Sequence, residues 1–137
     1  MSAGSEHTLY LKTDGSLWAM GCNGSGQLGV GNTDDQLDPV QVVSSGVEAV
    51  SAGGYHSMYL LSSGSLWAMG GNSNGQLGDG TFDGKTIPVR VEIGGVARVS
   101  AGGLHSLYIK TNGSLLAMGR NDVGQLGDGT QTNQSSP

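Results

Sequence analysis

Only one of the 137 residues is a cysteine, Cys22, so the chain can build neither a disulfide framework nor a repeated cysteine metal site. One phenylalanine, two tryptophans and 12% charged residues leave little material for a conventional core of large side chains. Six scattered Lys and Arg, within a net charge of −5, exclude the clustered cations that displace counterions from a phosphate backbone. No apolar run approaches the roughly 18 residues of a membrane span, and no basic segment followed by an apolar one opens the chain, so neither anchor nor signal peptide is visible. The chain reads as soluble, with neither nucleic acid nor membrane as a partner and no compartment indicated. Apolar residues at helical spacing are also missing. What the chain has in quantity is glycine, 26 of them, so turns are frequent and strands are short.

Three of these glycines, Gly24, Gly26 and Gly29, spell a G-x-G-x-x-G. A dinucleotide site needs a helix to open at the last glycine, and the stretch that follows, Val30 to Pro39, has no helical pattern. Comparison within the chain settles what the motif is. Ser2-Ala-Gly-Ser-Glu-His7 returns as Ser51-Ala-Gly-Gly-Tyr-His56 and Ser100-Ala-Gly-Gly-Leu-His105, at an offset of 49 residues both times. Leu17-Trp-Ala-Met-Gly21 and Gly26-Gln-Leu-Gly29 recur at the same offset, while Gly24 becomes Ser73 and Asp122. The G-x-G-x-x-G is a coincidence of the first copy, laid over a turn used in all three.

A full copy carries four short β-type segments. In the second they are Val47–Val50, His56–Leu61, Ser65–Met69 and Val89–Ile93, separated by glycine or proline. The turns Thr13-Asp-Gly15-Ser, Ser62-Ser-Gly64-Ser and Thr111-Asn-Gly113-Ser favour a tight hairpin, so the second and third segments pair antiparallel. Four strands per 49 residues, repeated, describe an all-β chain, a β-propeller of four-stranded antiparallel blades with about three blades per chain. Met58, Tyr59, Leu60 and Leu61 do not alternate with polar residues, as expected if neighbouring blades cover both faces. The repeats fall at 2–50, 51–99 and 100–137, one propeller segment whose last copy is truncated: Pro137 aligns with Pro39 and Pro88, ahead of the Val-x-Val strand. Either the chain is part of a longer propeller, or copies of it join. Two copies give six blades and three give nine, so a homo-oligomer is expected, a dimer first.

Gly-Gly-x-His-Ser-x-Tyr, Leu-Trp-Ala-Met-Gly, Asn-x-x-Gly-Gln-Leu-Gly and the trailing Gly-Asp79-Gly-Thr81 and Gly-Asp128-Gly-Thr130 resemble the repeats of the regulator of chromosome condensation family over nearly the whole chain. The Trp-Asp dipeptide of another propeller repeat is absent, and the doubled glycines at 53–54 and 102–103 lack the downstream pattern of the kelch type. The resemblance implies a scaffold, usually seven-bladed, whose loops bind other macromolecules. Members include an exchange factor for a nuclear GTPase, plant ultraviolet photoreceptors and a secreted β-lactamase inhibitor, and the fold alone selects none of these activities. The photoreceptors carry Gly-Trp-Arg-His-Thr where this chain has Gly53-Gly-Tyr-His-Ser57, so their light-absorbing tryptophans are missing at Gly54 and Gly103. No basic tail or GTPase-binding loop supports nucleotide exchange.

The stretches that differ between copies mark a candidate protein-binding surface: Glu6, Tyr55 and Leu104 beside the histidines, and the loops 22–25, 71–74 and 120–123, from which Asn23, Asn74, Arg120 and Asp122 are the candidate residues. The recurring positions His7, His56 and His105, Gln27, Gln76 and Gln125, and Trp18 and Trp67 are read as structural. The tryptophans align with Leu116 and are expected in the core. Three histidines are a common zinc set, but a ring of blades carries equivalent positions apart, and bonds to neighbouring backbone are the expected use of each imidazole. Asp34, Asp35 and Asp38 lack the glycine and glutamate of a calcium loop and read as solvated surface. No nucleophile, base and acid break the repeat together at one place, so the chain is expected to be non-enzymatic, without cofactor or metal. Its partner is another protein or a copy of itself.

Overall fold

A computed structural model describes all residues, 1–137, and contains strands and turns only. Blade 1 holds β1 (Ser2–Ala3), β2 (His7–Leu11), β3 (Leu17–Gly21) and β4 (Gln36–Val43), hydrogen-bonded in that order. Blade 2 repeats the meander with β5 (Val47–Ala52), β6 (His56–Leu61), β7 (Leu66–Gly70) and β8 (Lys85–Glu92). Blade 3 has three strands, β9 (Val96–Ala101), β10 (His105–Lys110) and β11 (Leu115–Gly119), with Gly119 bridging antiparallel to Gln134 where a fourth would lie. The hairpins β2–β3, β6–β7 and β10–β11 pair in antiparallel register, His7 opposite Gly21, His56 opposite Gly70 and His105 opposite Gly119.

The first and fourth strands of a blade run longer than their valine content suggests. β5 extends through Ser51 and Ala52, because the Ser51 and Ala52 backbones pair with Met58 and Ser57 of β6. β8 starts at Lys85 and runs through Pro88, which the edge position tolerates because the missing N–H would otherwise face outward. Register shifts interrupt β3–β4 and β7–β8 at the same two places, so the last strand of each blade bends away in the same manner.

Two apolar seams hold the blades together. In the first, Leu9, Leu17, Ala19 and Leu28 of blade 1 meet Val47, Ala52, Tyr59 and Met69 of blade 2. In the second, Met58, Leu60, Leu66, Ala68 and Leu77 of blade 2 meet Val96, Tyr108 and Met118 of blade 3. Neighbours along β6 thus point to opposite seams, which is the period-2 geometry of a strand covered on both sides. Five of its six residues are buried, whereas β2 and β10, each with one face open, keep only two.

Each seam also needs a glycine. The Met69 side chain lies across Gly29 and that of Met118 across Gly78, where an added Cβ would stand 3.0 Å from the methionine. The Gly-Gln-Leu-Gly turn therefore recurs because the next blade leans on its second glycine.

Candidate protein-binding rim

Both sets of variable positions lie at one end of the blades. The Cys22 N–H donates to the Glu6 carbonyl, Gly71 N–H to the Tyr55 carbonyl, and Arg120 N–H to the Leu104 carbonyl, at 2.9, 2.8 and 2.9 Å. The turn before each second strand is thereby tied to the loop after each third strand. Gly70 makes this closure possible: its φ is 107°, and a Cβ there would stand 2.6 Å from the Tyr55 carbonyl oxygen. The hairpins at Gly15, Gly64 and Gly113 lie at the opposite end.

On the rim Tyr55 is half exposed and Glu6 exposed, while Leu104 is partly covered. Arg120 and Asp122 form an exposed bidentate pair, with Nε–Oδ1 at 2.9 Å, which lowers the Asp122 pKa and raises that of Arg120. Asn74 is half-buried and accepts a bond from the Asn133 amide of the next blade at 3.2 Å. Asn23 does not reach the surface. It is fully buried, its amide donating to the Asn32 and Asp34 carbonyls and its Oδ1 accepting the Leu28 N–H, so it braces its loop from inside. Asn72 and Asn121 do the same in their copies, and that shared role was readable from their 49-residue spacing. Gln27, Gln76 and Gln125 each accept a backbone N–H two residues back, from Ser25, Asn74 and Val123.

Among the acids, Asp35 does more than face solvent: its Oδ1 accepts the Asn23 N–H at 2.7 Å. Nowhere do three His, Cys, Asp or Glu side chains converge as metal ligands.

The histidines reach across the seams rather than to nearby backbone. His7 Nε2 lies 2.8 Å from Ser57 Oγ, and His56 Nε2 the same distance from Ser106 Oγ. Ser57 and Ser106 donate in turn to the carbonyls of Gln27 and Gln76 at 2.7 Å. Because each serine proton is committed to a carbonyl, the serine oxygen accepts from His Nε2–H, which leaves Nδ1 as a bare acceptor. That atom is buried without a partner in both His7 and His56. The sequence offered no sign of this, since the serine follows the histidine of the next repeat by one residue. Burial lowers the pKa of His7 and brings that of His56 down to about 4, with smaller contributions from the charges of His7 and His105.

Serine beside histidine is also the start of a nucleophilic pair, but here both serines are fully buried and no carboxylate orients Nδ1. The tryptophans are half-buried rather than core residues. Trp67 stacks on Tyr59 at the edge of the first seam, and Trp18 stacks on Tyr10 on the open face of blade 1, with Lys12 Nζ 3.7 Å from the centre of its ring. The equivalent slot in blade 3, Leu116, packs against the second seam.

Against known proteins, the model described as the regulator of chromosome condensation (RCC1) repeat matches residues 14–60 and 63–109, and a second model of that repeat matches 47–76 and 96–125. The ultraviolet-B receptor UVR8 of Arabidopsis thaliana is 52% identical over 42 residues, 31% of this chain and 10% of the receptor. Prp20p of Saccharomyces cerevisiae superimposes with a TM-score of 0.87 at 22% identity, covering 98% of this chain and 36% of Prp20p, and human WBSCR16 gives 0.86, 22%, 98% and 35%. The chain thus spans about a third of the solved structures it matches. With the three blades, the shared seams and the family match over most of its length, this chain belongs to the family of RCC1-repeat β-propellers and forms a segment of such a propeller.

Proposed function

We propose that this chain is a non-enzymatic protein-binding scaffold, one propeller segment of three repeats at 2–50, 51–99 and 100–137, which presents Glu6, Tyr55, Leu104, Asn74, Arg120 and Asp122 to a protein partner. The observation that carries the reading is the set of backbone bonds from Cys22, Gly71 and Arg120 to the residues beside the histidines, because it gathers the variable side chains at one end of invariant blades. Loops on a rigid scaffold are where binding residues concentrate. Relatives of the same fold support a protein as the partner: Prp20p is described with binding properties to Gsp1p and histones, and has been crystallised with Kap60.

The test is binding from a lysate by the intact chain, by Tyr55→Ser and Arg120→Ser on the rim, and by Asn112→Ser at the opposite end. Partners lost with the rim variants and kept with N112S support the reading; the reverse pattern overturns it. A second reading, self-assembly, is favoured by one observation: the outer faces of blades 1 and 3 are open and apolar, and they differ in the way the two sides of a seam differ.

A further inference from the structure

We propose that Asn112 is a site of spontaneous covalent modification: its carboxamide cyclises onto the Gly113 nitrogen, loses ammonia and opens with water to aspartate and isoaspartate, while the fold holds the two other Asn-Gly pairs inert. The three pairs are Asn23-Gly24, Asn74-Gly75 and Asn112-Gly113. Glycine after asparagine favours this chemistry because no side chain hinders the approach of its nitrogen to the asparagine Cγ. In the unfolded chain the three pairs are chemically alike, so any selection among them belongs to the tertiary structure.

The first pair is locked at the carboxamide. Asn23 is fully buried; its Nδ2 donates to the carbonyls of Asn32 and Asp34 at 3.0 and 3.1 Å, and its Oδ1 accepts the Leu28 N–H at 3.0 Å. Its Cγ cannot turn toward Gly24 without stranding these groups away from water. The second pair is locked on both sides. Asn74 Oδ1 accepts from Asn133 Nδ2 at 3.2 Å, and Asn74 N–H donates to Gln76 Oε1 at 3.0 Å. Gly75 lies against the next blade, where even an added Cβ would stand 2.6 Å from the Gln134 carbonyl oxygen, so its peptide unit has no space in which to rotate.

Asn112 has none of these restraints. It is exposed at the tip of the β10–β11 hairpin, its Nδ2 bonds to no other group, and its Oδ1 takes a single bond, from Ser114 N–H at 3.0 Å. That bond places a donor at the oxygen on which charge develops as the Gly113 nitrogen attacks. Gly113 N–H donates to the Lys110 carbonyl at 2.9 Å, so the tip must open before reaction, which an exposed turn does at small cost. The exposure follows from the hairpin and not from an uncovered blade. Asp14 and Ser63 in the same slot are exposed too, although Gly15 and Gly64 beside them pack against Gly46 and Gly95 ahead of the next blade.

In the first step the bond from Gly113 N to Cγ forms, the Cγ–Nδ2 bond breaks, and the displaced Gly113 proton leaves with the nitrogen as ammonia. Water then opens the ring. Attack at Cγ yields aspartate, which finds the partners that Asp14 has in blade 1, where Ser16 gives its N–H at 2.9 Å and its hydroxyl at 2.6 Å. Attack at the backbone carbonyl yields isoaspartate, which routes the main chain through Cγ and lengthens the tip by one carbon inside the Lys110–Ser114 hydrogen bond. The site stands at the end opposite the rim and is independent of the binding reading.

The experiment follows the intact 137-residue chain in mildly alkaline buffer, folded by circular dichroism, and in parallel in urea. Peptide mass mapping reads the exchange of NH2 for OH at each pair, and a protein-isoaspartate methyltransferase with a labelled methyl donor reads isoaspartate. In the folded chain Asn112 is expected to convert more than about tenfold faster than Asn23 or Asn74, which must first open buried bonds or packed backbone. In urea the three rates are expected to converge. Asn112→Ser is expected to remove nearly all early labelling, and the purified isoaspartyl form to melt below both the wild type and Asn112→Asp. Conversion led by Asn23 or Asn74 overturns the proposal. So does a ratio of rates that urea leaves unchanged, or a folded Asn112 that stays intact while urea converts all three.

Discussion

His56 is the residue where burial and chemistry conflict most. In the unfolded chain its pKa is 6.5, and in the fold it is about 4, so between those values the unfolded state binds more protons. Stability therefore rises with pH through this window: it is fully present above about pH 6.5 and is lost as the pH falls toward 4, by about 3 kcal/mol at the lower end. His7 is lowered in the same direction. Urea midpoints measured from pH 7 to pH 4 should fall, and the fall should be shallower in His56→Asn; an unchanged slope in that variant would assign the pH dependence elsewhere. The glycine beside it gives a second prediction. A Cβ at Gly53 would run into the His56 ring and stand 2.6 Å from the Gly102 carbonyl, whereas one at Gly103 meets nothing within 4 Å. Gly53→Ala should lower the melting temperature by several degrees, consistent with a loss of about 2 kcal/mol, while Gly103→Ala should leave it within error.

At the scale of the element, the loop after each third strand depends on one asparagine. Asn72 is buried; its amide donates to the Thr81 and Asp83 carbonyls and its Oδ1 accepts Leu77 N–H. Asn72→Ala strands those groups, and a loss of about 2–3 kcal/mol is expected in denaturant unfolding. Asn72→Asp should cost as much, because a carboxylate cannot donate to the two carbonyls. The seams behave differently, as packing rather than bonding. Met69→Ala empties the space over Gly29 in the first seam and should cost about 2–4 kcal/mol. The same change at Met20, on the open face of blade 1, should cost the single chain far less, so the difference between the two variants measures how much a neighbouring blade contributes.

For the whole molecule, stability is a sum of blades and the seams between them. Blade 2 is covered twice, and its strand β6 is buried along nearly its full length; blades 1 and 3 are each covered once. Amide hydrogen exchange should follow that order, slowest in β6 and β7 and fastest in the two-residue β1 and in β11, whose outer edge carries only the Gly119–Gln134 bridge. Uniform protection across the three blades would contradict it.

What the sequence alone determined was everything that repeats. The 49-residue offset, the Asp-Gly and Asn-Gly hairpins and the alternation of short β-type runs define the blade and place the chain in its family, because turn chemistry and strand pairing are local and each copy states them again. The loss of alternation in Met58–Leu61 even implied a neighbour on both sides. What only the tertiary structure decided were the contacts between copies. The bond from His7 to Ser57 spans 50 residues and joins groups on separate blades, so no local signal encodes it. Trp18 and Trp67 occupy the same slot of the repeat and are both half-buried, yet one lies on an open face and the other packs against a seam, because position in the array sets what each slot packs against. Asn23 sits in a stretch that varies between copies, and although its recurrence as Asn72 and Asn121 marks it as structural, only the fold shows the buried amide bonding to the Asn32 and Asp34 carbonyls that makes it the brace of the loop.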